Sequence, residues 1–561
     1  MTEDLAIKKN INHITLVLCL TIAIAASCQH STENNPKDAG QDTDADNQDG
    51  ASGDASADAD SDADTDSDTD ADSDGDADSN GDGDVDSGPM DGGNLMWVKQ
   101  AGGAHVQRSY AVAVGSDDSI FITGTYVGSS TFGKGETNET TLPESTSPDQ
   151  CCNIFIARYS ADGTLSWAKH VQGTGDDSGE SIVVSPDNSI YLTGYFENET
   201  TFGPGDPNET ILSSKGGKDV FIAKYNYDGS LCWVKSAGGP SSDYIDSGTG
   251  IAISRDGSIL VTGYVSDSNV FGEGEPTMTT ILTGMFVAKY TPEGNLVWAK
   301  GAKDGYAVSN GISVATDGSI YIVGYFGSVT FADGSPSDTE FIADGREDIF
   351  IAKYNEDGSF AWARTAGGEP DIQIEDPGEW GDSVTTLPDG SAIMTGWYWG
   401  PATFGKGTSK ETVLLDRHTF LAKYSGAGDF LWVIGFETAS NSALDIGDSI
   451  SSYQDGSFAV TGLFWDPILL GSGGPHEVKL TPVGQADIYY ARYDIDGTLL
   501  WAKSAGSLEV EEGTGISFDK QGNVILTGYF RGITTFGKDE DGQVSLVSDG
   551  DVDIFIAKLS Q

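Results

Sequence analysis

Five carboxylates recur at one position of the chain's internal period: Asp177, Asp246, Glu379, Asp445 and Glu511, with Gln107 and Ala307 in the two other copies. Acids delivered by several loops to one place are what a hard cation such as calcium needs. The set is therefore a candidate metal ring at a channel mouth. The plainer reading of the same residues is turn capping on an acidic surface. A second candidate group is aromatic. Trp380, Trp399 and Trp465 stand outside the position that Trp otherwise keeps, and Trp399 and Trp465 share one repeat position. Exposed indoles stack on sugar rings, which makes these three candidate ligand-binding residues; packing under long loops is the alternative. No nucleophile or metal motif accompanies them. None of the six His lies in a HExxH, GxSxG or P-loop context, so no catalytic residue is assigned. A polysaccharide-cleaving enzyme would need two acids at glycosidase spacing, one with a raised pKa, and the loop acids are the residues that would supply them.

These candidates are positioned by a repeat. Trp recurs at 97, 167, 233, 298, 362, 432 and 501. An apolar strand ends in Gly at 124, 194, 263, 324, 396, 462 and 528, and Ala plus Lys or Arg recurs from Ala157-Arg158 to Ala557-Lys558. Such coincident periods must be read before anything else. The second copy shows the unit: Ser181-Ile-Val-Val, a turn at Pro186–Ser189, Ile190–Phe196, a long loop over Glu197–Asp219, Val220–Tyr225, an Asp228-Gly229 turn, and Leu231–Lys235. Asp-Gly between alternating apolar runs marks a hairpin. Four antiparallel strands per copy make a propeller blade. The chain enters at Leu95–Lys99, a fourth strand, and ends at Asp553–Lys558, a third. The fold class expected is all-β: a seven-bladed β-propeller closed by its N-terminal strand, which leaves no open sheet edge.

The run Asp-Ile-Phe-Ile-Ala-Lys-Tyr, then Asp-Gly, then Leu-x-Trp or a close variant, seen over 348–362 and 487–501, resembles the SBBP-type β-propeller repeats over residues 94–561. That resemblance implies the fold and little about activity, since the family is known mostly as repeats of bacterial extracellular proteins. The Asp-Gly-x-Leu-x-Trp string is also similar to the tryptophan-docking repeats of quinoprotein dehydrogenases, whose catalytic Asp and calcium ligands have no counterpart here.

Turn lengths choose a working face. First-to-second and third-to-fourth connections are tight. Second-to-third and fourth-to-first connections are long and leave a propeller on one face, where binding residues concentrate. The column Ala111, Ser181, Gly250, Gly311, Ser383, Ser449, Gly515 is uniformly small, as crowding at an axis requires. Thirteen of the 30 Lys and Arg sit at two repeat positions, a scaffold role that leaves few cations for anionic ligands.

The N-terminus gives an address. Lys8 and Lys9 precede an apolar run from Ile14 to Ala26, too short to span a bilayer and read as a secretory signal. Ala25-Ala26-Ser27-Cys28 resembles the lipobox of bacterial lipoproteins, which implies cleavage before Cys28, lipidation of Cys28 and membrane attachment. Gln29 in place of Asp implies the outer membrane. Residues 29–93 hold 21 Asp, one Glu and one Lys. Nothing apolar is there to bury, so 28–93 reads as a disordered tether. Asp70-Ala-Asp72-Ser-Asp74-Gly75 matches the start of a calcium loop, but the twelfth position is Gly81. With 87 acidic and 30 basic residues the net charge is −57, which excludes nucleic-acid backbones and anionic surfaces as partners. Cys151, Cys152 and Cys232 are too few and too badly spaced for a disulfide framework. The expected function is a monomeric, surface-tethered, non-enzymatic binding or scaffold module with a protein, glycan or calcium ligand; the alternative is an extracellular polysaccharide-acting enzyme.

Overall fold

The computed structural model describes residues 92–144, 152–241, 245–331, 339–368, 378–415, 417–438 and 445–561. They belong to one compact unit, Ser87–Gln561. The signal, Cys28, nearly all of the tether and Cys151 lie outside the described residues. Among the described residues all regular structure is β, and no helix is long and apolar enough to cross a membrane.

The strands fall into antiparallel runs of four in sequence order, giving a propeller-like architecture. The third run is typical: Ser247–Ile253, Ile259–Val265, Gly284–Tyr290 and Leu296–Gly301. The inner strands are buried on both faces, as in Ile259-Leu-Val261, all fully buried. The last run consists of Glu512–Phe518, Val524–Phe530 and Asp553–Leu559, and its fourth member is Leu95–Ala101. That strand pairs antiparallel with Asp553–Leu559, Val98 opposite Ala557 and Ala101 opposite Ile554.

The core lies between neighbouring runs, not inside any one. Tyr191, Val220 and Ile222 of the second run share a cluster with Ile251, Val261 and Phe286 of the third. Ile525, Ile554 and Ile556 of the last run share one with Ile122, Phe155 and Ala157 of the first. The invariant strand Gly has a steric cause. A Cβ on Gly263 would lie 2.0 Å from the Ser247 carbonyl oxygen, and Gly124, Gly194, Gly324, Gly396, Gly462 and Gly528 face the same clash. In six copies the residue before that Gly is a buried Thr that donates to the third strand, as Thr193 Oγ1 does to Phe221 O (2.7 Å) and Thr527 Oγ1 to Phe555 O (2.9 Å); the fourth copy has Val323.

The repeated Trp and the third-strand cation dock one run on the next. Trp233 Nε1 and Lys224 Nζ both donate to Pro292 O (3.1 and 3.3 Å), and Trp362 Nε1 and Lys353 Nζ both donate to Gly426 O (3.3 and 2.9 Å). The turn Gly beneath each indole leaves room for it: a Cβ on Gly294 would lie 2.8 Å from the Trp233 ring. At the chain ends Lys558 Nζ donates to Ala161 O (3.4 Å), and Trp501 packs on Gly92 and Gly93.

One expectation needs correction. The second-to-third connections, expected as long loops, contain β-ribbons: Ser130–Phe132 with Thr140–Leu142, Asn269–Phe271 with Thr279–Ile281, and Ala402–Phe404 with Thr412–Leu414. In the second run the strands simply extend, over Ile190–Phe202 and Thr210–Tyr225. Polar Thr- and Gly-rich sequence hid them. A repeated anchor is the buried aromatic or Leu at the end of the ribbon's first strand (Phe132, Phe202, Phe271, Phe331, Phe404, Leu470, Phe536), which reaches the inter-run core.

Candidate functional site

The five candidate acids are all buried: Asp177, Asp445 and Glu511 completely, Glu379 and Asp246 almost so. Four have hydrogen bonds within their own run. Asp177 Oδ1 accepts from Glu197 N and Thr200 Oγ1 (both 3.0 Å), Asp246 Oδ1 from Ser266 N (2.6 Å) and Asp445 Oδ1 from Trp465 N (3.0 Å). Glu511 accepts from Ser507 N (2.9 Å) and Ser507 Oγ (2.5 Å). Gln107 does the same work with its amide, accepting from Gly103 N (3.0 Å) and donating to Val127 O (3.1 Å). These four acids and Gln107 thus staple loops, and among the described residues no group of three or more Asp, Glu, His or Cys is arranged to hold a metal ion. Burial drives Asp246 and Glu511 up to about 7, with Asp219 and Asp487 as charged neighbours adding to it.

The tryptophans separate. Trp380 begins the fifth run (Trp380–Thr386) and stacks on Tyr325 of the fourth at 4.2 Å, nearly parallel, with Trp397 at 5.0 Å and tilted by 41°. Its Nε1 donates to Glu347 Oε2 (2.8 Å). Trp399 ends the next strand, and Trp465 follows the second strand of the sixth run; neither is a ring partner of Trp380. All three are half-buried. The neighbours of Trp380 are aromatic because the residue after the repeated Gly is Tyr195, Tyr264, Tyr325, Trp397 and Tyr529 in five copies. Tyr306 adds a further ring 6.1 Å from Tyr325. Tyr195, Tyr264, Tyr306 and Trp380 keep part of their surface open.

A set not singled out from the sequence lies one residue before the small column: Tyr110, Glu180, Thr249, Asn310, Asp382, Asp448 and Thr514. Each sits in a bulge, where the pairing of first and second strands shifts by one residue (Gly248 to Gly250, for example). A bulge turns its extra side chain out of the ladder. Thr249 Oγ1 reaches Ser309 O (2.6 Å), Asn310 Nδ2 reaches Gly381 O (3.1 Å) and Thr514 Oγ1 reaches Ser109 O (2.6 Å), each on the first strand of the neighbouring run. Three of the seven are acids. Asp382 is pushed up to about 8 by burial against one hydrogen bond from Asn310, and Asp448 is held well above the carboxylate range by burial and the charges of Glu512 and Asp382. Glu512 is raised by burial against the hydrogen bond from Tyr529 and the charge of Arg108. Three carboxyls from three successive runs therefore sit in one another's field on the inner strands. For Asp382 and Asp448 the signal was present as acids in one register column, but the bulge that aims them is a property of strand pairing; Glu512 lies outside that column.

No family model matches the chain. It is 23% identical over 501 residues to an uncharacterized WD repeat-containing protein, L264, of Acanthamoeba polyphaga mimivirus, covering 83% of this chain and 33% of that protein. This chain thus spans about a third of that relative's length. Solved structures similar in part include Sqt1 from Chaetomium thermophilum (TM-score 0.38, 11% identity, 83% of this chain and 100% of that one). Two others are a PL25 ulvan lyase bound to a sulfated glycan (0.35, 10%, 81% and 96%) and a gluconolactonase from Xanthomonas campestris (0.27, 11%, 66% and 87%).

Proposed function

We propose that the chain is an envelope-anchored binding or scaffold module: a lipoprotein held through Cys28, an acidic tether to residue 93, and a seven-bladed, SBBP-type propeller over 94–561 closed by its N-terminal strand. The observation that carries the reading is the pairing of Leu95–Ala101 with Asp553–Leu559, 450 or more residues away. It is supported by the core shared between last and first runs and by the Thr514–Ser109 hydrogen bond that repeats the Thr249–Ser309 one. A ring has no free edge, so such a module stays soluble at a surface while its open aromatics meet a ligand.

The ligand proposed is a neutral glycan, stacked on Trp380 beside Tyr306 and Tyr264, with protein as the other partner class. The test is a glycan array followed by titration with Trp fluorescence, in the presence and absence of calcium. Binding lost in Trp380→Ala and kept in Trp399→Ala and Trp465→Ala supports the site. Binding that all three variants retain sinks it. Calcium that raises melting, by about RT ln(1 + [L]/Kd), and fails to do so in Asp246→Asn would move the ligand to the acid set. The mature mass after expression in a bacterium tests lipidation: a water-soluble product with unmodified Cys28 refutes the anchor.

A further inference from the structure

The repeat provides its own control, and one place breaks it at four positions together. The residue opposite the end of the second strand is Asn153, Asp219, Gly284, Asp348, Asp487 or Asp553 in six runs; in the fifth it is His418, opposite Tyr398. The segment beside it reads Ala-Gly-Gly at 101–103, 237–239 and 366–368, but Phe436-Glu437-Thr438 in the fifth run. The two changes are coupled sterically. A Cβ on Gly238 would lie 2.0 Å from the Asp219 carboxyl carbon, so the Asp demands Gly, and its loss frees the strand to carry side chains.

The freed side chains assemble a relay. Thr438 Oγ1 lies 3.2 Å from His418 Nε2, and His418 Nδ1 lies 3.5 Å from Asp445 Oδ2. His418 is 3% exposed and Asp445 0%. Asp445 is fixed from behind by Trp465 N, and the Tyr398 ring stands edge-on to the imidazole at 6.3 Å. Thr438, half-buried, opens with His418 onto a groove of about 860 Å3 walled by Tyr398, Val433, Phe436, Leu469 and Leu499. That size suits a small organic ligand, and the apolar wall suits a short acyl chain. A hydroxyl, an imidazole and a buried carboxylate in this order are recognised by geometry and role, whatever the fold, and their hydrogen bonds are often loose without substrate.

We propose that Thr438, His418 and Asp445 form a nucleophile–base relay that hydrolyses short-chain esters in this groove. Thr438 Oγ1 forms a bond to the ester carbonyl carbon as His418 Nε2 takes its proton. The tetrahedral adduct expels the alkoxide, to which His418 returns that proton, leaving an acyl-Thr438 ester. Water then attacks, His418 takes its proton and passes it to Thr438 Oγ1, and a carboxylic acid leaves. Thr438 and His418 are the catalytic residues; Asp445 is a positioning residue that holds the Nδ1–H tautomer.

The full chain is mixed with p-nitrophenyl butyrate, nitrophenol release is followed, and the protein is peptide-mapped by mass spectrometry. The expected result is a butyryl group on Thr438, formed about 100-fold more slowly in His418→Gln, absent in Thr438→Val and retained in Thr438→Ser. Asp445→Asn should lower the rate and displace its pH profile, which a merely structural carboxylate would not do. The proposal is overturned by wild-type protein that carries no adduct on Thr438, or by an adduct formed equally fast in His418→Gln. Because the first of these outcomes is read on wild-type protein, it holds even where a variant fails to fold.

Discussion

Replacing Leu95 by Ala tests whether the N-terminal strand is a full member of the last run. Leu95 is 9% exposed and sits in the cluster formed by Ile516, Leu526, Phe536 and Leu559. Its N–H donates to Glu540 Oε2 (2.7 Å). Leu231 holds the equivalent place in the second run, 1% exposed, with its N–H on Asp206 Oδ2 (2.8 Å). Truncation of a buried Leu costs about 2–5 kcal/mol through lost transfer energy and a residual cavity. The slightly greater exposure of Leu95 puts it in the lower half of that range, about 2–3 kcal/mol. If the strand is docked as in the interior runs, Leu95→Ala and Leu231→Ala lower the urea midpoint by comparable amounts, read by Trp fluorescence and by circular dichroism. A Leu95→Ala protein within about 0.5 kcal/mol of wild type, the range of an ordinary surface substitution, beside a clearly weakened Leu231→Ala, would mean that the strand is not packed there and that the ring is open.

The pH dependence follows from the buried acids. Asp219, Asp348 and Asp487 are raised to about 6, Asp246 and Glu511 to about 7 and Asp382 to about 8, in each case chiefly by burial. Between the unfolded value near 4 and these values the folded chain binds more protons than the unfolded one, so stability falls as pH rises. Melting is expected to be higher at about pH 5 than at about pH 8; a flat or rising trend contradicts the burial argument. Asp382→Asn, which copies the protonated form, should raise melting at about pH 8 and change it little at about pH 5, and an equal effect at both would show that the charge is not the cause. Gly263→Ala should be severely destabilising, by more than about 3 kcal/mol, since its Cβ would meet the Ser247 carbonyl oxygen at 2.0 Å; a thermal scan showing near-wild-type stability would refute that packing. Thr193→Val removes a buried hydroxyl donor to Phe221 O and should cost about 1–3 kcal/mol in urea unfolding.

The four main strands of the unit were legible in the sequence, because strand alternation and the clash-driven strand Gly are local properties repeated in seven copies, with a tight Gly turn between third and fourth strands in six. The sequence also pointed to the cations that are scaffold: the third-strand Lys meets a turn carbonyl of the next run in four junctions, through Lys224, Lys353, Lys423 and Lys558, while Lys289 pairs instead with the Asp256 carboxylate. The ribbons escaped because their polar faces are exposed and only a few anchors per ribbon, such as Phe132 and Leu142, reach the core. The fate of the acids was decided by tertiary structure. Asp177 and Asp246 read as a cation ring because one column of charge looks the same whether it faces a channel or a backbone N–H, and only the position of Glu197 and Ser266 distinguishes the two. The inner acids Asp382 and Asp448 depend on a bulge, and the Thr438–His418–Asp445 relay on three strand ends meeting. The bulge leaves no mark in the sequence, and His418 and Thr438 leave no period, since they depart from the repeat that brings them beside Asp445.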